Sequence, residues 1–113
     1  MKDFCTLHCG RFSGVSKQNY TGNKRYLEDM FSTVRFDEQA DLLEVCGAQH
    51  VDHEPGLLIE LFDTLASVLE ENGNGRILLN CGNFEMCFFR KNMWKLMAMP
   101  MPEDPFDDVH YVG

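Results

Sequence analysis

The chain has 113 residues, of which 44% are apolar and 25% charged, and its net charge is −8. These proportions are typical of a folded globular protein and exclude an intrinsically disordered chain. This length suits one domain over residues 1–113, which we expect to fold alone or as a homodimer. We find no apolar signal-like run near residue 1 and no stretch approaching the roughly 20 apolar residues of a membrane span, so we expect a cytoplasmic protein.

The first half of the chain gives weak secondary-structure patterns. Residues 4–9 can form a strand, and residues 10–23 are rich in Gly, Ser and Asn, which predicts a loop. A helix over 24–33 is predicted by apolar residues at helical spacing, namely Tyr26, Leu27, Met30 and Phe31. Residues 34–49 fit either a hairpin that turns at 38–41 or a short helix that ends at Gly47, and periodicity does not decide between them.

The clearest predicted element is a long helix from about 52 to 72. Asp52 can cap its start, Pro55 suits its first turn, and Gly73 can end it. Its apolar residues recur at three- and four-residue steps: Leu58, Leu61, Phe62, Leu65, Val68 and Leu69. We expect this amphipathic helix to pack on an antiparallel sheet through these residues and to leave its carboxylates in solvent.

Three short apolar runs then predict a C-terminal meander over 76–99. The glycine-rich residues 72–75 predict a turn before it, and Gly82-Asn83 and Lys91-Asn92 suit the turns within it. The fold class is therefore predicted to be α+β. Alternation makes both faces of the meander apolar, so we expect the N-terminal segments or another chain to cover the second face. Three prolines after residue 99 predict an acidic tail over 100–113.

Charge is sorted along the chain. Residues 36–75 contain ten acids and no Lys or Arg, whereas residues 1–35 contain six bases and three acids. Residues 76–99 contain four bases and one acid, and the tail adds four acids. Helices built only for solubility usually mix Glu with Lys, so the acidic block predicts a surface for a basic partner.

The predicted function is that of a small, acidic, non-enzymatic binding or inhibitor protein. Its partner would be a basic nuclease, toxin or defence complex, as for an immunity protein or a phage-encoded nucleic-acid mimic. The predicted contact residues are Asp37, Glu38, Asp41, Glu44, Glu60, Asp63, Glu70 and Glu71, with apolar contacts from Phe89, Met97 and Met99. A secretion or effector chaperone is an alternative with similar size and charge. We expect no cofactor, no membrane contact and no direct contact with nucleic acid.

A second alternative is an enzyme. Cys5 and Arg11 fit the Cys-x5-Arg pattern, in which a thiolate attacks phosphorus and the Arg holds the oxyanion. Asp104-Pro105-Phe106 resembles the segment that carries the general acid in low-molecular-weight protein tyrosine phosphatases and related arsenate reductases. The resemblance implies a doubly wound parallel sheet and a Cys5 nucleophile. Phe12 stands where that family has Ser or Thr, and the predicted meander is antiparallel.

The cysteines and histidines raise the question of a metal. Five cysteines are an odd number spread along the chain, which predicts free thiols in a reducing compartment. Two clusters hold candidate ligands, Cys5 with His8 and Cys9, and Cys46 with His50 and His53. Neither cluster has a Cys-x2-Cys or His-Glu-x-x-His spacing. The sequence does not decide whether Cys5, Cys9, Cys46, His50 and His53 bind metal.

Overall fold

The structure is a computed structural model that describes residues 6–48, 55–80 and 84–98. In chain order it comprises β1 (Thr6–Val15), α1 (Lys17–Met30), β2 (Phe31–Asp37), β3 (Leu42–Ala48), α2 (Pro55–Ser67), β4 (Leu69–Asn80), β5 (Phe84–Arg90) and β6 (Met93–Ala98). The strands form one antiparallel sheet in the order β2-β3-β1-β4-β5-β6. The predicted α+β class is confirmed. Neither described helix is long and apolar enough to cross a membrane.

The pairing register divides the strand residues between two faces of the sheet. On one face Phe12 pairs with Leu43 and with Gly75. Phe89 also lies on this face, and its ring centroid is 5.5 Å from that of Phe62 in α2. We call it the helix face. The opposite side, which includes Arg11, we call the open face, because no described side chain at its register positions is buried.

The core lies between the helix face and the two helices. Its buried side chains form one hydrophobic cluster, in which the rings of Phe12 and Phe89 lie 5.1 Å apart. Helix α1 contributes Leu27 and Met30, and Tyr20 stacks on Phe36 at 4.5 Å. The cluster is consistent with the predicted single domain over residues 1–113, which stays a prediction.

The loop predicted over 10–23 is wrong, because these residues belong to β1 and α1. Ser16 caps α1, and its hydroxyl accepts a hydrogen bond from the Asn19 backbone N–H at 3.1 Å. The helix predicted over 24–33 therefore starts seven residues earlier, at Lys17, and ends at Met30. Strand β1 is central in the sheet but buried on one face only, so it needs few apolar residues. Its polar composition is therefore similar to that of a loop.

The alternatives left open for residues 34–49 are resolved in favour of a hairpin. Strands β2 and β3 pair from Phe31↔Ala48 to Asp37↔Leu42. The Asp37 carboxylate accepts hydrogen bonds from the backbone N–H groups of Gln39 and Ala40, at 3.0 and 3.3 Å. The turn therefore lies at 38–41, where its hydrogen bonds predispose the chain to reverse.

The long helix predicted over 52–72 is not confirmed at that length. Helix α2 ends at Ser67 and β4 begins at Leu69, which pairs with Val15. Val68 and Leu69 are fully buried, so their spacing fits both a continued helix and the start of a buried strand. Glu70 and Glu71 consequently belong to β4, and Asp52 lies outside the described residues.

The meander of β4, β5 and β6 is confirmed, but the turn predicted at 72–75 is not. These residues lie within β4, where a Cβ added at Gly75 would overlap the ring of Phe12. Glycine is needed there for close approach of two strands rather than for a turn. The predicted turn at Lys91-Asn92 is present, and the Asn92 N–H donates to the Ala66 carbonyl at 3.1 Å. Gly82-Asn83 lies outside the described residues.

Candidate binding surface

Four cationic side chains share the open face of β1, β4, β5 and β6. Arg11 lies opposite Arg76, and in the same row Arg76 lies opposite Phe88, which lies opposite Lys95. Arg90 follows one row along, opposite Asn74. All four cations are exposed. We call Arg11, Arg76, Arg90 and Lys95 the basic patch.

The basic patch has no carboxylate neighbour in its own four strands. At the open-face positions that the register defines, carboxylates occur only on β2 and β3, as Asp37 and Glu44. Within residues 6–48, 55–80 and 84–98, the ion pair that the structure contains joins Lys17 to Glu38 at 3.4 Å. Glu44 lies directly opposite Arg11 on β3 without a described ion pair within 4 Å, and the other three patch cations have no carboxylate opposite them.

Apolar side chains are interleaved with these cations. Met93 is 61% exposed, Met97 46% and Phe88 42%. A cavity of about 740 Å³ is lined by all four patch cations together with Phe88 and Met93. A second cavity of about 240 Å³ continues towards β3, and Cys9, Cys46 and Met86 are among its lining residues. The open face is thus a concave surface that combines positive charge with apolar contact area.

The eight carboxylates predicted to contact a partner are not gathered on one surface. Three lie at the β2–β3 hairpin, one on the open face of β3, two on α2, and two at the start of β4: Asp37, Glu38 and Asp41; Glu44; Glu60 and Asp63; Glu70 and Glu71. The sheet separates the α2 pair from the carboxylate on β3. An acidic block that is continuous in sequence is therefore divided in space.

Two of these carboxylates accept hydrogen bonds that give them a structural role in the fold. Asp37 holds the hairpin turn, and the Asp63 carboxylate accepts a hydrogen bond from the Trp94 indole N–H at 2.9 Å. Helix α2 is thereby tied to the edge strand β6. Neither residue needs an external partner to account for its position.

The predicted apolar contacts have different outcomes. Phe89 is only 1% exposed and packs between Phe12 and Phe62, so it is not available to a partner. Met97 is exposed on the open face, opposite Met86. Met99 lies outside the described residues. The reason for the difference is strand alternation, which turns Phe89 inwards and Met97 outwards.

The described strands differ from the loop and the parallel sheet that the resemblance to phosphatases implies. Residues 6–11 of the Cys-x5-Arg segment lie in β1, where they take part in pairing with β3 and β4. Backbone N–H groups along an extended strand point to alternate sides and do not converge on one oxyanion. All described strand pairs are antiparallel, in contrast to the doubly wound parallel sheet. Cys5 and Asp104 lie outside the described residues.

Comparisons with known proteins find no relative of this chain. No family model, curated protein or solved structure matches the chain significantly. Any function must therefore be argued from the geometry of the chain itself.

The prediction of free thiols is wrong for Cys9 and Cys46, which form a disulfide across β1 and β3. Gly10 pairs with Val45, so residues 9 and 46 are the next positions along the same strand pair. Cys87 is free, and burial raises the pKa of its thiol to about 12, which makes it unreactive at neutral pH. Free thiols were one argument for the predicted cytoplasmic location, which stays a prediction.

The described residues contain no group of three or more candidate metal ligands. Cys9 and Cys46 are joined to each other, and His8 makes a tilted ring contact with Phe84 at 6.3 Å. Cys5, His50 and His53 lie outside the described part of the chain. The structure therefore brings together one cysteine from each candidate cluster, Cys9 and Cys46, and joins them in a disulfide.

The residues of the basic patch are not among the predicted contact residues. Alternation in β5 and β6 places Phe88 and Lys95 on one face, and this was accessible from the sequence. Arg11 and Arg76 are 65 positions apart, and their proximity depends on the pairing of β1 with β4. A local pattern contains no information on that pairing.

Proposed function

We propose that this protein is a small, non-enzymatic binding protein that recognises another polypeptide with the open face of its sheet. The observation that supports this is the basic patch with Phe88 and Met93 exposed around one cavity, together with Met97 exposed elsewhere on the same face. Protein–protein interfaces are enriched in Arg, Met and aromatic residues and depleted of Glu and Asp. Contiguous apolar side chains on a surface typically mark an interaction site.

The chemistry of the cavity favours binding over catalysis. None of the described residues that line the larger cavity is His, Cys, Asp or Glu, the side chains that most often transfer protons. Arginine stays protonated at all accessible pH values, and thioether and phenyl groups do not exchange protons. Apart from the Lys95 ammonium, which can also transfer a proton, the lining recognises charge and shape without providing a general acid or base.

Binding by masking is the mechanism that this surface suits. A partner held on the open face would lose access to the part of its own surface that is covered. This would make the protein an inhibitor, an immunity-type protein or a chaperone, as the sequence also suggests. The predicted contact of the eight carboxylates with a basic partner remains a competing hypothesis, and it uses largely different surfaces.

Photo-crosslinking tests which surface meets the partner. A photoreactive amino acid is placed at Asn74, which is exposed on the open face, and matched positions are Glu60 on α2 and Glu38 in the hairpin. After crosslinking in a lysate of the native host, the captured polypeptide is identified, purified and tested again with each position. We expect efficient crosslinking of the purified partner from Asn74 and little from the two matched positions. Crosslinks confined to Glu60 and Glu38 would contradict the proposal and favour the carboxylates.

A further inference from the structure

We infer that the occupant of the open face is an acidic polypeptide segment, an inference that rests on the proposed function. The first observation is the direct opposition of Arg11 and Arg76 on neighbouring strands. Like charges in this position destabilise a sheet. Glu44 lies opposite Arg11 on β3, but Arg76 has no carboxylate opposite it, and neither cation makes a described ion pair within 4 Å. Placements that lower stability without a local benefit are typical of functional sites.

The remaining cations extend this positive region across the sheet. Lys95 lies in the same row as Arg76, two strands away, and Arg90 lies in the adjacent row. Neighbouring strands are about 4.8 Å apart, so the row from Arg11 to Lys95 spans roughly 14 Å. Carboxylates of an incoming segment would find these cations free of described ion pairs. Such complementarity speeds association and excludes basic competitors.

The apolar residues of the patch distinguish an acidic polypeptide from a nucleic acid. Proteins that bind single-stranded nucleic acid offer several aromatic faces on which bases stack. Around the larger cavity Phe88 is the exposed ring, because Phe89 is buried and the Trp94 indole is bonded to α2. The neighbouring side chains are methionines, which adapt to the varied side chains of polypeptides.

A second copy of this chain is a poorer occupant of the same face. A twofold contact would place the basic patch of one copy against the basic patch of the other. The repulsion between exposed cations would oppose that contact at low ionic strength. The predicted homodimer would therefore need another surface.

Fluorescence anisotropy with defined probes tests the inference. The probe is a short labelled peptide rich in Glu that also contains Phe and Met. Its controls are the same peptide with Gln or Lys in place of Glu, and an oligothymidylate of similar length. The face variant is Arg11→Gln with Arg76→Gln, and the helix variant, its matched control, is Lys24→Gln with Arg25→Gln on α1, where both side chains are exposed.

We expect the acidic peptide to bind at least about tenfold more tightly than the Gln peptide, and its affinity to fall steeply between about 50 and 300 mM NaCl. The face variant should lose at least about tenfold in affinity and the helix variant less than about twofold. Equal binding of the Gln or Lys peptide, tighter binding of oligothymidylate, or equal losses in the two variants would overturn the inference.

The two levels of the proposal fail in different ways. If a partner crosslinks to Asn74 but the acidic peptide binds no better than its Gln version, the open face is a binding surface for another chemistry. If crosslinks avoid Asn74, the proposed function itself is wrong.

Discussion

The two faces of the sheet differ in what their side chains achieve. The helix face holds the buried aromatic core, in which Phe12, Phe62 and Phe89 contact one another. The open face, one residue away along each strand, holds cations and half-exposed apolar side chains, with no described residue buried. The residues of the helix face stabilise the fold, whereas stability does not explain the cations and exposed apolar residues of the open face.

Charge that is sorted along a chain need not stay sorted in space. The ten acids of residues 36–75 are divided among a hairpin, both sides of the sheet and, for Asp52 and Glu54, a segment outside the described residues. Arg11 from residues 1–35 meets three bases from residues 76–99 on the open face because β1 pairs with β4, and these are Arg76, Arg90 and Lys95. A protein with a net charge of −8 thus presents a basic surface.

The adjacent residues Phe88 and Phe89 provide the largest contrast between the faces. Phe89→Ala should lower the free energy of unfolding by about 3–5 kcal/mol, because it leaves a cavity in the core. Phe88→Ala should lower it by about 1 kcal/mol or less, since Phe88 is already 42% exposed. Urea unfolding of both variants checks this. Similar losses for the two would contradict the assignment of faces.

The disulfide between Cys9 and Cys46 should also contribute to stability. It closes a loop with a sequence separation of 37, and a crosslink of this length stabilises by about 2–4 kcal/mol through the unfolded chain. Cys9→Ser with Cys46→Ser should lower the free energy of unfolding by that amount. Unfolding of the parent protein with and without a reductant is the parallel measurement. Peptide mapping that finds no 9–46 link under oxidising conditions would refute the pairing.

Two glycines should respond to alanine with opposite signs. Gly75→Ala should cost about 1–3 kcal/mol, because the new methyl group would overlap the Phe12 ring. Gly22→Ala should gain about 0.5–1 kcal/mol, because Gly22 is exposed within α1 and its Cβ would meet nothing within 4 Å. Thermal unfolding of the pair tests this. A stabilised Gly75→Ala variant would mean that β1 and β4 do not approach so closely.

The smallest expected effect concerns Asp63. Asp63→Ala removes the acceptor of the Trp94 indole hydrogen bond and should lower the free energy of unfolding by about 0.5–1.5 kcal/mol. Glu60→Ala, one turn earlier on α2, should change it by less than about 0.5 kcal/mol. If Asp63→Ala leaves stability intact but weakens partner binding, the carboxylate hypothesis gains support over the structural role of Asp63.

The sequence predicted those elements whose patterns are local. The meander and the α+β class follow from alternation and turn residues that lie close together. For residues 34–49 the local pattern left a short helix open beside the hairpin that turns at 38–41. The end of α2 was misplaced because Val68 and Leu69 are buried in either geometry. The predicted strand began too late, at Arg76, because Gly73 and Gly75 serve close approach to Gly14 and Phe12 of β1, which only the tertiary structure shows.

The candidate site was less predictable than the fold. Alternation implied that Phe88 and Phe89 point in opposite directions, yet the predicted contact residues combined the buried Phe89 with the exposed Met97. The basic patch, however, depends on a pairing between strands far apart in sequence. Charge counted along the chain therefore indicated the acidic residues and overlooked the cations that the fold gathers.

The most direct test of the binding role of the open face compares the face variant with the helix variant in both stability and affinity for the partner captured from Asn74. The two variants remove the same charge, from the sheet in one case and from α1 in the other. We expect the face variant to unfold at about the same urea concentration as the parent, because it removes both the repulsion between Arg11 and Arg76 and the attraction between Arg11 and Glu44. It should bind the partner at least about tenfold more weakly. The helix variant should change neither property. Equal affinity of both variants for the partner would contradict the account.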